Sequence, residues 1–506
     1  MKKRLFLKNA LILTGSSLLL SALSMVFRVY QTGQIGAEGM GLMQLLLSVY
    51  YFATNIAVSG FNLAVTRLVT EAAIHRQSVP AILRRCFTLC ITTGVLSGGL
   101  LFGFAPLLGG TLLGDSRTVL PLRILALSLP LLSLSCCCRG YFLAVRNALK
   151  PCLGQLCEQL FSFGFAALLL PHTAHDLTAA CGTLAAGMAL GELVGCIVIS
   201  GFMWADLRKA PVIPATNRNI SLRSILSISV PIALGYDLRS ALIAVENMLI
   251  PAGLKQCGTS YAQSLAAYGI VKGIALPTIQ FPSAFLTAFS LLFSPEVSKS
   301  RAAGHSADIR TMADRVFCIC LRFSVPVACM FACFGPLLGE LLYHSTDAGQ
   351  MLRLLCPLVP FMYLDSIVDA MLKGMDEQMY SLKVNLSDSC IRIVLMVVLL
   401  PRLGIYGYLA AMYISILYNA LLSIGRFLHA GHMAVQWRSW LMIPALSAAT
   451  ACLCSRMLLI QVSALSLRCI GMMLLSVVLY LLLLFLCRAP AQKQTARMHA
   501  PRTRTV

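Results

Sequence analysis

Charged side chains inside long apolar runs are the residues of this sequence with the clearest potential for chemistry. Arg28 and Lys272 each stand in such a run, and Lys272 lies between Gly269 and Gly273. An ionisable group within a bilayer is costly, so it is a functional candidate unless it pairs or reaches the interface. Snorkelling to the interface is the alternative explanation for Arg28 and Arg67, which lie toward the ends of their runs. The candidate cations are Arg28, Arg67, Arg239 and Lys272.

One apolar run carries two acids beside a candidate cation. Asp237 and Glu246 share this run with Arg239. Because Arg239 and Glu246 are seven residues apart, they share a helical face, whereas Asp237 points elsewhere. A structural pair within the helix and a role in a cavity both remain open for Arg239 and Glu246.

A second group of acids lies in the runs near residues 351–373 and 384–401. Asp388 and Arg392 are four residues apart, a spacing that favours a structural ion pair on one helix. Asp365 is two helical turns from Lys373, which is too far for a simple ion pair on one helix. Asp365 is therefore a candidate for coupling to a proton or cation, together with the acids Asp237 and Glu246.

Proline and glycine interrupt two of the charged runs. Pro231 precedes Asp237, and the string YGIVKGIALPTIQFP contains Gly273, Pro277 and Pro282. Proline disrupts a helix and releases carbonyl groups, which a cavity or a polar partner must then satisfy. We expect these positions to mark broken helices at a cavity.

Membrane-spanning helices must position these residues. The sequence of 506 residues is 58% hydrophobic and 12% charged, whereas a soluble domain is roughly 25% charged. In lipid the backbone must satisfy its own hydrogen bonds, and long continuous apolar runs favour helices over barrel strands. The sequence predicts an all-α integral membrane protein of about fourteen spans, with no soluble catalytic domain.

The formal charge of +21 is concentrated in short connectors and in the tail 488–506. This distribution indicates a membrane protein and not a nucleic-acid-binding one. If the N-terminus is cytoplasmic, most Lys and Arg residues lie on the cytoplasmic side of the membrane. An even number of spans then places the C-terminus in the cytoplasm as well. The first 24 residues also have the order of a signal peptide, but their removal would invert the charge bias downstream, so we expect a retained first span in the cytoplasmic membrane.

The 20 cysteines fall mostly inside apolar runs, without histidines at ligand spacing. This placement is typical of small apolar packing residues. We therefore expect neither a metal site nor a cofactor.

The sequence contains an internal repeat at a shift of about 230 residues. Arg123 falls on Arg353 and Glu158 on Asp388, and further matches are Pro130 on Pro360, Gln155 on Asn385 and Pro171 on Pro401. An even number of spans separates the copies, which predicts parallel six-helix bundles around a central cavity, followed by two further helices. The predicted division is a first bundle 1–208, a linker 209–224, a second bundle 225–430, two helices within 431–487 and a basic tail 488–506.

Four stretches resemble the stage V sporulation protein B family of the multidrug/oligosaccharidyl-lipid/polysaccharide (MOP) exporter superfamily. They are RVYQTGQIGAEGMGLMQLLLSVYYFATNIAVSGFNLAVTRLVTEA, CRGYFLAVRNALKPCLGQLCEQL, YGIVKGIALPTIQFPSAFLTAFSLLFSPEVSKS and LGIYGYLAAMYIS. The resemblance implies fourteen helices, a central cavity and translocation of a polyprenyl-pyrophosphate-linked saccharide, with a role in spore cortex formation as one possibility. Similar lipid II flippases carry cavity cations that match Arg28 and Lys272 and, loosely, Arg67; Glu246 stands where they have an aspartate.

The partners implied are an anionic lipid-linked saccharide, membrane lipids and a coupling cation or proton, without nucleic acid. A pyrophosphate needs cations in a wet cavity to replace its hydration. Two other functions remain open: a cation-coupled multidrug exporter, which would use acidic cavity residues, and a non-transporting membrane scaffold. A membrane-embedded sugar transferase would need clustered acids for a metal in a sizeable loop, which the sequence lacks.

Overall fold

The computed structural model describes residues 2–58, 60–74, 78–209, 222–302, 306–430, 438–459, 461 and 464–498, and every regular element in these ranges is helical. The helices of the first part are α1 Lys2–Val58, α2 Phe61–Ile74, α3 Val79–Pro106, α4 Val119–Ala126, α5 Leu129–Ala144, α6 Leu149–Thr173 and α7 Leu177–Lys209. The next are α8 Leu222–Gln256, α9 Tyr261–Tyr268, α10 Leu276–Gln280, α11 Ser283–Ala302 and α12 Ser306–Tyr343. The last are α13 Thr346–Leu355, α14 Val359–Gly374, α15 Gln378–Leu403, α16 Ile405–Ala430, α17 Ile443–Leu459 and α18 Leu465–Met498.

Short segments of other helix types join some of these elements. The π-helical segments are Leu107–Leu112, Gly269–Ala275 and Arg438–Met442, and the 3₁₀ turns are Ser116–Thr118 and Cys356–Leu358.

The prediction of an all-α, multi-pass membrane protein is confirmed, but the count of fourteen spans is not. Ten helical stretches of the described residues are long and apolar enough to cross a membrane, or eleven if Ser116–Ala126 and Leu129–Ala144, bent by 43°, form one span. One reason is that α1 is one helix of 57 residues that turns at Gly36, with φ of 66°, instead of ending in a loop there. Glycine adopts this left-handed conformation without steric cost.

Many large apolar side chains point outward from the helices. On α18, Leu467, Leu474, Leu481 and Phe485 are all more than half exposed. Such exposure is expected where lipid and not water surrounds the helix.

The chain forms two compact units. The first comprises Met1–Ile274 and Asn385–Ser415, and the second Ala275–Val384 and Ile416–Val506. Among the residues buried in the first unit are Phe142 and the thiols Cys86, Cys90 and Cys136 to Cys138, while Phe334, Cys452 and Met472 are buried together in the second. The bundle boundaries drawn from the repeat are a separate division and stay a prediction.

The internal repeat is visible in the backbone. The shift of 230 residues carries α5, Leu129–Ala144, onto α14, Val359–Gly374. Each of these helices then ends in a left-handed residue, Arg146 with φ of 57° and Asp376 with φ of 62°. After them the Asn147 N–H donates to Phe142 O (3.0 Å), and the Glu377 N–H donates to Leu372 O (2.9 Å). Both copies therefore share one type of helix end.

Candidate substrate cavity and buried charge networks

A cavity of about 470 Å³ lies inside the first unit. Arg28 and Tyr50 of α1 line it, with Gln155, Glu158 and Gln159 of α6 and Glu192 of α7. Amides, a phenol and charged groups thus face one space within helices whose outer surfaces are apolar. A cavity of this size, with a few polar groups among apolar ones, can hold a small ligand group.

Arg28 is held at this cavity by the backbone of a distant helix. Its Nη1 donates to the carbonyl oxygen of Gly273 at 2.9 Å. Gly273 lies in the π-helical segment Gly269–Ala275, where the regular bonding pattern of the α-helix is altered. A carbonyl in this segment thus has a charged partner, and the guanidinium has a fixed position.

Two glycines allow that segment to approach α1. A Cβ added to Gly269 would lie 2.6 Å from the Gly41 backbone nitrogen and would also collide with Ala37 O. A Cβ on Gly41 would collide with Leu265 O. Larger residues would separate the two backbones, so the glycines set the distance at which Arg28 reaches Gly273.

A second set of charges is buried around Glu246. The Glu246 side chain is 2% exposed; Lys272 Nζ lies 2.9 Å from its Oε1 and Arg392 Nη1 lies 3.3 Å from its Oε2. Arg392 also places Nη2 at 2.7 Å from Asp388 Oδ2 and donates from Nε to Ser415 Oγ. We call Glu246, Lys272, Arg392 and Asp388 the Glu246 network. Its two cations and two acids balance, as buried charges require.

A third set of charges joins α5, α6 and α7. Arg139 Nη2 lies 3.9 Å from Glu158 Oε2 and 3.6 Å from Glu192 Oε1. Both carboxylates line the cavity, and Glu192 is 4% exposed. We call Arg139, Glu158 and Glu192 the Arg139 cluster. Gly195 allows Glu158 to pack here, since a Cβ on it would lie 2.8 Å from Glu158 Cβ.

The structure brings together only some of the predicted cations. Arg28 lines the cavity, whereas Lys272 contacts the Glu246 network and is not among the lining residues. Arg239 is exposed on α8. Arg67 has a 62% exposed side chain and pairs with Glu71 at 2.8 Å. The four cations therefore do not form one cluster.

The predicted acids are also separated. Glu246 pairs with Lys272 and Arg392 and not with Arg239 on its own helix. Asp237 is half-buried on α8 and Asp365 lies in the second unit, where Asn419 Nδ2 donates to it at 3.2 Å.

The predicted helix-breaking positions fall at different kinds of site. Pro277 lies in the first turn of α10, and Pro282 lies in the turn between α10 and α11. Gly273 is within the π-helical segment. Pro231 is within α8, but its side chain lies outside the described residues.

The Arg139 cluster was missed in the sequence. Its members are 19 and 34 residues apart and lie on three helices, so no helical spacing links them. The available signal was Glu192 itself, an acid within the apolar string ALGELVGC.

Known proteins match the chain along most of its length. The family model described as Polysaccharide biosynthesis protein matches residues 6–246, and the model described as MatE matches residues 257–398. Stage V sporulation protein B of Bacillus subtilis (strain 168) is 25% identical over 423 residues, which cover 80% of this chain and 80% of that protein.

Solved structures share the fold. The lipid II flippase MurJ in an inward closed conformation aligns with a TM-score of 0.64 at 13% identity, over 94% of this chain and 97% of that one. An inward-facing multidrug resistance MATE family transporter of the MOP superfamily aligns with a TM-score of 0.61 at 15% identity, over 84% of this chain and 97% of that one.

The helices and these matches define a transporter of the MOP superfamily. Within that superfamily, the family-model matches and the similarity to stage V sporulation protein B support the polysaccharide and lipid flippase family.

Proposed function

We propose that this transporter is a flippase that moves an anionic polyprenyl-pyrophosphate-linked saccharide across the cytoplasmic membrane by alternating access. The observation that carries the proposal is Arg28, a half-buried cation at a cavity of about 470 Å³ that polar and apolar side chains line together. The names of two similar proteins, a lipid II flippase and a sporulation protein, support a peptidoglycan or polysaccharide precursor and a role in sporulation.

The chemistry of this transfer is electrostatic. A pyrophosphate cannot cross hydrocarbon without charged partners, and a guanidinium offers forked hydrogen bonds to phosphate oxygens. The polyprenyl tail can remain in lipid while the head group turns over. Because no bond is made or broken, the proposal needs neither an enzyme nucleophile nor a cofactor. Both termini are cytoplasmic in this proposal, as the charge distribution favours.

The proposal gives Lys272 an indirect role. Its ion pair with Glu246 holds the segment whose Gly273 carbonyl accepts from Arg28. Arg28 is then the primary contact for the anion, and Lys272 positions it. Arg67 and Arg239, which lie outside the cavity, contribute less. Asp237 and Asp365 remain candidates for cation coupling.

The decisive variant is Arg28→Ala, assayed in proteoliposomes with a fluorescent polyprenyl-pyrophosphate disaccharide and a membrane-impermeant quencher. Loss of a charge-assisted hydrogen bond of about 1.5–3 kcal/mol should slow flipping by roughly 10- to 100-fold. Arg28→Lys should retain part of the rate. Arg84→Ala, at an exposed arginine of α3, is the control. Equal rates for wild type and Arg28→Ala would reject Arg28 as the anion site.

Depletion of the protein in cells gives an independent test. A lipid-linked precursor should accumulate on the inner leaflet when no redundant transporter is present. An unchanged distribution of precursor between the leaflets would contradict the flippase proposal.

A second candidate, a cation-coupled multidrug exporter, is favoured by the two acids at the cavity, Glu158 and Glu192. Binding to purified protein separates the candidates. A flippase should be protected from heat by an anionic pyrophosphate lipid, and a drug exporter by an organic cation.

A further inference from the structure

The Arg139 cluster has one cation for two acids. Glu158 and Glu192 both lie within 4 Å of the same atom, Arg139 Nη2, at 3.9 and 3.6 Å. Glu192 is nearly fully buried, and its Oε1 has no hydrogen-bond partner in the described part of the chain. A carboxylate oxygen without a hydrogen bond thus belongs to a residue that lines the cavity.

Arg28 is a second cation at the cavity, but the ion pairs of the described residues do not join it to Glu158 or Glu192. From α1, Arg28 reaches the cavity but donates to Gly273 O, and the phenols Tyr50 and Tyr51 are neutral at ordinary pH. From α5 and α7 the neighbouring titratable groups are the thiols Cys138 and Cys196, whose Sγ atoms lie 3.7 and 4.0 Å from the hydroxyl of Ser200. In the described residues Arg139 is the one ion-pair partner of both carboxylates.

A buried excess of negative charge is expensive. Two carboxylates that share a site do not both ionise readily, and the pair then binds one proton between them. A metal cation is a poorer occupant, because it needs several oxygen ligands around it and Arg139 already stands against both acids. A proton needs only one carboxylate oxygen that accepts no hydrogen bond, such as Glu192 Oε1.

We propose that Glu158 and Glu192 together bind one proton at the wall of the cavity, and that transport is coupled to its binding and release. The coupling rests on the flippase function proposed above, whereas the proton site itself does not. An anion that enters the cavity raises the affinity of the pair for the proton, and by linkage the proton raises the affinity of the cavity for the anion. The step is addition of H⁺ to one carboxylate to give a carboxylic acid, and its later return to water.

Infrared spectroscopy of the purified full-length protein tests the site directly, through the carbonyl band of protonated carboxyl groups. Wild type should show this band near neutral pH. Glu158→Gln and Glu192→Gln should each lose it, because one acid then remains opposite one arginine and stays ionised. Arg139→Gln should strengthen the band, since two acids then lack a cation. Glu71→Gln, at an exposed acid paired with Arg67, should leave it unchanged.

Glu158→Asp serves as the folding control, because it keeps two acids and should keep the band. The proposal is overturned if wild type lacks the band, or if both glutamine variants retain it while eluting as folded protein.

Proteoliposomes with a pH gradient and a clamped membrane potential test the coupling. The wild-type flipping rate should respond to the gradient, and the rates of Glu158→Gln and Glu192→Gln should not. A protein that shows the infrared pattern but flips no lipid would refute the flippase function and leave the proton site intact. Flipping without the infrared pattern would refute the proton site alone.

Discussion

Glu158 and Asp388 occupy equivalent positions in the two copies of the repeat, yet their charges are balanced in different ways. Asp388 pairs with Arg392 one turn further along α15, at 2.7 Å. The first copy has Ser162 at the position of Arg392. Glu158 therefore lacks a cation on its own helix and depends on Arg139 of α5, at 3.9 Å.

The comparison shows that matching helices of the two copies carry different patterns of charge. The Glu246 network closes on itself, since two cations meet two acids with distances of 2.7 to 3.3 Å. The Arg139 cluster leaves one acid in excess beside an open cavity. A balanced buried network is suited to hold helices together, and an unbalanced one is suited to take up charge from outside. The charge balance thus predicts a structural role for the Glu246 network and a charge-binding role for the Arg139 cluster.

The largest expected effect comes from breaking the balanced network at Glu246. Glu246→Gln leaves Lys272 and Arg392 with Asp388 as their one acid. Removing one partner of a buried ion pair costs about 3–5 kcal/mol, so the free energy of unfolding in detergent should fall by that order. The double variant Glu246→Gln with Lys272→Met restores balance and should recover most of the loss. A single variant as stable as wild type would show that the network is not structural.

A smaller effect is expected when the second copy is given the residue of the first. Arg392→Ser leaves Glu246 paired with Lys272 and Asp388 without a cation. Asp388 can then become neutral by binding a proton, so the loss of stability should be about 1–3 kcal/mol, the cost of a buried group with a missing partner. The infrared absorption of protonated carboxyl groups should therefore be stronger than in wild type. If the absorption does not increase and stability falls further, the charge balance argued for both copies is incorrect.

Local patterns in the sequence are sufficient to predict the helices and the repeat. The apolar runs predicted membrane helices, and Pro130 and Pro360 both lie at the start of a new helix after a break, in α5 and α14. The four-residue spacing of Asp388 and Arg392 correctly predicted their ion pair. These features depend on residues close together along one helix, and the spacing of residues in the sequence predicts such contacts.

Contacts between helices were not predictable in this way. The shared face of Arg239 and Glu246 suggested a pair, but seven residues advance a helix by about 10 Å. Glu246 instead forms ion pairs with Lys272 and Arg392 of other helical segments. Arg239 is exposed. The Arg139 cluster likewise depends on how three helices pack, which one sequence does not encode as a spacing.

The smallest effect concerns the turn that the two copies share. Arg146 and Asp376 both adopt left-handed backbone conformations after their helices, with φ of 57° and 62°. This conformation costs most L-residues about 1–2 kcal/mol, whereas aspartate visits it more readily. Arg146→Gly should therefore stabilise the protein by up to about 1 kcal/mol, reduced by the greater chain entropy of glycine, and Asp376→Gly should have almost no effect. Thermal unfolding of the two variants side by side measures the difference. Equal shifts would contradict the expected difference in backbone strain between Arg146 and Asp376.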